Sequence, residues 1–269
     1  MVVALVFGDL RRLTIELLDA VFPRLCPLCR SSVGSGFGCE VHALALDFER
    51  GPPGPHCGRC ARVLGAALPD RELCAHCRRG ETRVRRIVTL WDYARDGPLR
   101  DWVLALKHGG RRDLARPLGN LLGQRLRAAV EPGAPPLLVP VPLHVLRRFE
   151  RGYDQAGLLA RSAAEAAGVE HLRALGRRRW TPPQGAPGAR SRQANVRGAF
   201  RLLSGTRERV AGRAVWLVDD VVGSGATVEA CRAELVAGGA ASVSVLALAR
   251  AADTAPGLTE TPAAEQMPR

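Results

Sequence analysis

The segment Ala214-Val-Trp-Leu-Val-Asp-Asp-Val-Val-Gly-Ser-Gly-Ala-Thr227 decides how this chain is read. Its first part, Ala214 to Val218, is an uninterrupted apolar run, the pattern of a strand buried on both faces of a parallel sheet. Two carboxylates, Asp219 and Asp220, close the run, and a loop of small residues leads into a helical stretch, Val228 to Ala237. Gly238-Gly239 stops that helix, and Ser242 to Ala249 reads as the next strand. Strand, loop, helix and strand in about 35 residues form a βαβ unit, so an α/β fold with a parallel sheet is expected.

Ligands of open α/β sheets bind beyond the carboxyl ends of the strands. At that end Gly223 and Gly225 let backbone N–H groups approach an anion, Ser224 and Thr227 add hydroxyl donors, and the helix dipole favours negative charge. Asp219 and Asp220 suit two vicinal hydroxyls, or Mg²⁺ held through water. The spacing matches neither G-x-x-x-x-G-K-[ST] nor G-x-G-x-x-G, which excludes an NTPase loop and a dinucleotide fingerprint. Two Asp at a strand end also serve as simple turn caps; the phosphate-type loop beside them makes that the weaker reading.

Outward from this unit, Ile87 to Trp91 reads as a strand and Pro98 to Leu106 as the start of a helix. Leu114 to Val130 is helical, Leu137 to Pro142 is a short strand entering a basic loop, and a helix from Gln155 to Ala167 ends at Gly168. Residues 177–198, rich in Arg, Pro and Gly, are expected to form a long loop. The last stretch, 251–269, is poor in large apolar residues and is expected to be a disordered tail.

Seven of the eight cysteines fall between residues 26 and 77. They form the pairs Cys26/Cys29, Cys57/Cys60 and Cys74/Cys77, with Cys39 and His42 as a fourth pair. Eight such ligands suffice for two tetrahedral zinc sites with no open position, hence structural ones. A disulfide framework is the alternative, disfavoured in a reducing compartment. Sequential pairing (Cys26, Cys29, Cys39, His42; then Cys57, Cys60, Cys74, Cys77) is the simplest, and spacing leaves a crossed pairing open. His56 and His76 read as bystanders, and Cys231 as a small buried hydrophobe.

With 269 residues, 46% hydrophobic and 24% charged, the chain is neither disordered, collagenous nor coiled-coil. No run approaches the roughly 18–20 apolar residues of a membrane span. Arg11, Arg12, Glu16 and Asp19 interrupt the apolar N-terminus, so no secretory signal is expected and the cytoplasm is the expected compartment. Of the net charge of +13, residues 140–213 carry +10, from 15 Arg against 5 Asp plus Glu. Such a surface is either a solvated face or one built for phosphate.

The segment ending in Asp219 to Thr227 resembles the phosphoribosyl-pyrophosphate motif of type I phosphoribosyltransferases. The chain from about residue 17 to 250 resembles the ComF family of competence-associated proteins, which join a zinc module to such a domain. The resemblance runs through Cys26-Pro-Leu-Cys29, the paired cysteines, Leu106-Lys-His-Gly-Gly110, Val139-Pro-Val-Pro-Leu143, Arg151-Gly-Tyr-Asp-Gln155 and Asn195-Val-Arg-Gly-Ala-Phe200. It implies a type I phosphoribosyltransferase-like sheet over 83–250, an N-terminal helix over 1–25 and a double zinc ribbon over 26–82.

The resemblance also implies roles. Asp219 and Asp220 would take the ribose hydroxyls, directly or beside Mg²⁺, and Gly223, Ser224, Gly225, Ala226 and Thr227 the 5′-phosphate. Arg147, Arg148 and Arg151 would form the pyrophosphate loop, Lys107 would contact phosphate, and 177–198 would be the closing lid. Three positions depart from the family pattern: Gly223 for Thr, Asp154 for Asn, and Cys39/His42 for a Cys pair.

Two function classes follow. One is a Mg²⁺-dependent transferase passing phosphoribose from phosphoribosyl pyrophosphate to an unidentified acceptor. The other is a binding module for single-stranded DNA, alone or with a DNA-uptake protein. There the basic segment would track the backbone and Trp180 and Tyr153 would be open to base stacking, whereas Phe149 is expected in the core.

Overall fold

The structure, a computed structural model, describes residues 25–26, 31–33, 54–64, 69–93, 98–131, 133, 135–143, 149, 152–178, 196 and 198–251. Its centre is a five-stranded, all-parallel sheet built from β1 (Ile87–Tyr93), β2 (Leu137–Pro140), β3 (Glu170–His171), β6 (Ala214–Val222) and β7 (Ser242–Ala251). The strand order is β1-β7-β6-β2-β3, and β4 (Leu175–Arg177) pairs antiparallel with β5 (Phe200–Leu202) as a separate two-stranded hood. The helices are α1 (Ala75–Arg78), α2 (Pro98–His108), α3 (Ala115–Ala129), α4 (Gln155–Ala167), α5 (Arg207–Val210) and α6 (Ala226–Ala237).

Both faces of the sheet are covered, which is why its strands read as continuous apolar runs. Val215, Leu217, Val243 and Val245 face a core completed by α6, the hood and the cysteine module. Trp216, Val218, Leu246 and Leu248 face the other, filled by Trp102, Leu106, Leu118, Leu122 and Leu159 of α2, α3 and α4. Glycines bring α3 and α4 together: a Cβ at Gly119 would stand 2.4 Å from the Ser162 Cβ, and one at Gly123 2.6 Å from the Ala163 carbonyl oxygen.

Helix ends follow the sequence signals. Asp154 caps α4 by accepting from the Gly157 N–H at 3.1 Å, and Gly168 closes that helix at φ 70°. β6 runs three residues past the expected Asp219, because β7 extends to Ala251 and pairs Val222 with Arg250. Two expectations are corrected. Phe149 is 88% exposed rather than in the core, while Tyr153 is buried, its hydroxyl donating to the Leu106 carbonyl, and so is closed to stacking. Cys231 is buried, as expected. The expected helix over 1–25 lies outside the described residues except for Leu25, which instead forms an antiparallel bridge with Ser32; most of the stretch 179–197, the tail beyond 251 and Trp180 lie outside them as well.

Candidate functional site

The carboxyl end of β6 carries the chemistry, and it brings together residues far apart in sequence. Asp219 Oδ1 accepts from the Asp220 N–H at 2.9 Å, and Asp220 Oδ1 accepts from the Val221 N–H at 2.6 Å. Lys107, at the last turn of α2, places Nζ 3.0 Å from Asp220 Oδ1. The expectation for Lys107 was a phosphate contact; here its ammonium rests on a carboxylate of the same site.

The chain then turns through Gly223 and Ser224 to Gly225, which holds φ 86° as the N-cap of α6, while Ser224 Oγ accepts from the Ala226 N–H at 3.5 Å. A left-handed residue costs an L side chain about 1–2 kcal/mol, so glycine fits this turn. The first N–H groups of α6 have no intrahelical acceptor, and together with the dipole they present a positive end to an anion.

Asp219 is the electrostatically unusual member. Burial pushes its pKa up, the neighbouring Asp220 adds to the rise, and Lys107, the Asp220 N–H and Arg177 offset part of it, leaving it at about 7. Arg177 belongs to β4 of the hood, with its guanidinium 5.3 Å from the centroid of Phe200. Sequence reading placed Arg177 at the edge of a long loop; only the folding of the hood brings its charge within reach of Asp219. Asp154 has a structural role: besides capping α4 it pairs with Arg173. The other members of the expected pyrophosphate loop, Arg147, Arg148 and Arg151, lie outside the described residues.

The second candidate centre is the cysteine cluster. The Sγ atoms of Cys57, Cys60, Cys74 and Cys77 lie within 4.8 Å of one another and all four residues are buried. The Cys60 and Cys74 sulfurs are 3.6 Å apart. A regular tetrahedron with Zn–S bonds of about 2.3 Å has edges of about 3.8 Å, so the set fits one zinc ion. The Cys74 N–H donates to Cys57 Sγ at 3.3 Å, and the Cys77 N–H to Cys74 Sγ at 3.5 Å.

Burial opposes ionisation of Cys57, Cys60 and Cys77. At Cys57 the N–H donors of Cys74, Cys60 and Arg59 outweigh it and bring the pKa down to about 6. At Cys77 burial prevails and pushes the thiol up to about 11, and Cys60 is raised by burial as well. Cys60 and Cys77 therefore need a nearby cation to ionise at neutral pH. The cluster is the second of the two sequentially paired sets. Of the first set Cys26 is buried, while Cys29, Cys39 and His42 lie outside the described residues. His56 and His76 stay out of the cluster: the His56 N–H donates to Asp70, and His76 Nδ1 is 2.6 Å from Glu81.

A parallel sheet ordered β1-β7-β6-β2-β3, two carboxylates at the end of its central strand, a glycine-opened helix after them and a four-cysteine cluster define an α/β protein with a cysteine module. The chain belongs to the family of DNA utilization protein YhgH and competence protein F, the ComF family. It is 35% identical over 234 residues to DNA utilization protein YhgH of Salmonella typhimurium, spanning 85% of this chain and 97% of that one. To competence protein F of Haemophilus influenzae it is 29% identical over 201 residues, spanning 73% of this chain and 85% of that one.

Among solved structures, the allosteric regulatory enzyme of purine biosynthesis aligns at 22% identity and TM-score 0.36, covering 54% of this chain and 30% of that one. Glutamine phosphoribosylpyrophosphate amidotransferase from B. subtilis aligns at 20% and 0.34, covering 53% and 30%. The α/β class follows from the parallel strand order itself. No family model matches the chain. Among the described residues no helix is long and apolar enough to cross a membrane.

Proposed function

We propose that the end of β6 binds phosphoribosyl pyrophosphate with Mg²⁺. The observation that carries this reading is the juxtaposition of the Asp219–Asp220 pair with the helix opening at Gly225. In it, Asp219 and Asp220 take the ribose hydroxyls, the N–H groups of 223–227 take the 5′-phosphate, and Arg147, Arg148 and Arg151 take the pyrophosphate. Hard carboxylate oxygens suit Mg²⁺, which when bound supplies charge neutralisation to the pyrophosphate. Lys107 holds Asp220 in place and keeps the two carboxylates from repelling each other unopposed. Transfer of phosphoribose to an acceptor is the corresponding activity, and release of pyrophosphate is its readout.

A second reading has its own observation. Phe149 is exposed beside the run Arg147-Arg148, an aromatic next to cations as in single-strand binders, and the relatives' names speak of DNA utilization and competence. In that reading the basic segment 140–213 takes single-stranded DNA in the cytoplasm, with a DNA-uptake protein as partner. The proposed division is an N-terminal helix to residue 25, a double zinc ribbon over 26–82, the ligand-binding domain over 83–250 and a tail over 251–269.

Calorimetric titration of phosphoribosyl pyrophosphate with Mg²⁺ into the zinc-loaded chain tests the first reading, with an Asp219→Asn/Asp220→Asn variant as control. Saturable binding that the variant loses supports it. A folded wild-type chain that takes up no ligand, but binds an oligonucleotide with steep salt dependence, overturns it in favour of the second.

A further inference from the structure

Glu229 stands one turn into α6, its N–H donating to the Gly225 carbonyl at 2.9 Å. Its carboxylate joins two parts of the molecule. Oε1 accepts from the backbone N–H groups of Arg83 at 2.7 Å and Val84 at 3.2 Å, and Oε2 accepts from Arg232 Nε at 2.8 Å. Arg83 and Val84 are the strand of chain that leaves the cysteine cluster. Just before them, Thr82 hydrogen-bonds the Cys77 thiol, and just after them the Ile87 N–H donates to the Arg59 carbonyl at 2.7 Å.

The link is polar where packing is incomplete. A cavity of about 400 Å³ separates the cysteine module from α6, with His76, Glu81 and Thr82 on one wall and Ser224, Gly225 and Ala226 on the other. Across that gap Glu229 bridges the module to the helix turn that opens the phosphate loop. A continuous chain of contacts therefore runs from Cys77 through Thr82, Arg83 and Val84 to Glu229 and Gly225.

We infer that Glu229 is a positioning residue that couples metal occupation of Cys57, Cys60, Cys74 and Cys77 to the anion affinity of the Gly223–Thr227 loop. The inference rests on the reading of that loop as an anion site. With the cluster metal-bound, the Arg83 and Val84 amides are held in place, and they neutralise a carboxylate that lies one turn from the loop. When the cluster loosens, the amides withdraw. The first turn of α6 then loses its tether, and the Glu229 carboxylate beside the site for an anion keeps only Arg232 as a partner. Coupling is reciprocal in binding free energy, so a bound anion raises the zinc affinity by the same factor.

The test uses the full zinc-loaded chain, as wild type, Glu229→Ala and Glu229→Gln. Zinc affinity is measured at equilibrium by competition with a chelator that spares Mg²⁺, with and without phosphoribosyl pyrophosphate and Mg²⁺, and amide hydrogen exchange is followed over residues 224–232. In wild type, ligand raises the zinc affinity at least about five-fold, the lower end of ordinary coupling between sites. Glu229→Ala brings that ratio to about one and speeds exchange over 224–232 in the zinc-loaded protein, before any ligand is added. Glu229→Gln retains most of the ratio, because the amide oxygen still accepts from Arg83 and Val84; a general loss of stability does not distinguish the two variants in this way.

An unchanged ratio in Glu229→Ala overturns the inference. So does exchange over 224–232 that ignores the substitution. If wild type binds no phosphoribosyl pyrophosphate, the ligand reading fails, and the exchange comparison alone decides whether Glu229 tethers the loop.

Discussion

Lys107 Nζ and Asp220 Oδ1 meet at 3.0 Å, joining the end of α2 to the end of β6. Lys107 is the only lysine among 39 basic residues, and the rest are arginine. A compact ammonium reaches one carboxylate oxygen as a point charge, whereas a guanidinium spreads over two. The choice leaves the remaining oxygens of the pair open to a cation or hydroxyls.

Replacing Lys107 by Met is expected to lower stability at neutral pH by about 1–3 kcal/mol, since both partners are largely buried and a lone carboxylate is left behind. The same substitution removes one of the charges that lower the Asp219 pKa, so Asp219 titrates above its present value of about 7. Urea unfolding and carboxyl NMR titration measure the two effects. An unchanged stability together with an unchanged Asp219 titration would show that the ion pair has no weight.

Asp219 predicts how stability changes with pH. Its folded pKa of about 7 lies above the ordinary 3.8, so the native chain binds a proton there that the unfolded chain has given up. Stability from this group is full below about pH 4 and is lost as pH rises toward 7. Asp219→Asn, which cannot ionise, is expected to be more stable than wild type at pH 8, by on the order of 4 kcal/mol, and close to it at pH 3.8. Denaturation midpoints at the two pH values decide it, and a gain of equal size at both would point to another cause.

The strand of Asp219 was legible because a doubly covered strand has to be apolar throughout, and Val215, Leu217 and Val218 are fully buried. Gly168 and Gly238 marked helix ends for the same kind of local reason: each is the residue at which its helix stops. The cluster at Cys57 was legible from ligand spacing. Glu229 and Arg177 were not, because their roles depend on partners that only the tertiary fold brings near. The hood strands, three residues each, are too short for any periodicity to show. Phe149 was misplaced because hydrophobicity was weighed without a periodic apolar neighbour, between Arg148 and Glu150.

The cysteine cluster predicts a proton count. Burial holds Cys77 at about 11 and raises Cys60 as well, so both are thiols at neutral pH in the metal-free chain. Zinc binds thiolates, so refilling a stripped chain is expected to release protons from these two residues, and less from Cys57, whose pKa is about 6. Titration of zinc in buffers of different ionisation enthalpy counts them. Cys60→Ser is expected to lose one zinc per chain by elemental analysis; retention of full zinc would place the ion elsewhere.

The contact of α3 with α4 tests whether close packing supports the site from behind. Alanine at Gly123 gains helix propensity of about 1 kcal/mol, yet its Cβ would stand 2.6 Å from the Ala163 carbonyl oxygen and 2.7 Å from the Ala166 Cβ. Backbone on the facing helix cannot swing aside as a flexible side chain does, and overpacking of this kind costs about 1–3 kcal/mol. The net expectation is a loss of up to about 2 kcal/mol for Gly123→Ala. Because α4 also carries Gln155, whose Nε2 reaches the Lys107 carbonyl at 3.5 Å, a displaced α4 shifts Lys107 as well. The variant is therefore expected to bind phosphoribosyl pyrophosphate more weakly than wild type while remaining folded. A stabilised variant in urea would mean that the helices stand farther apart and that propensity wins.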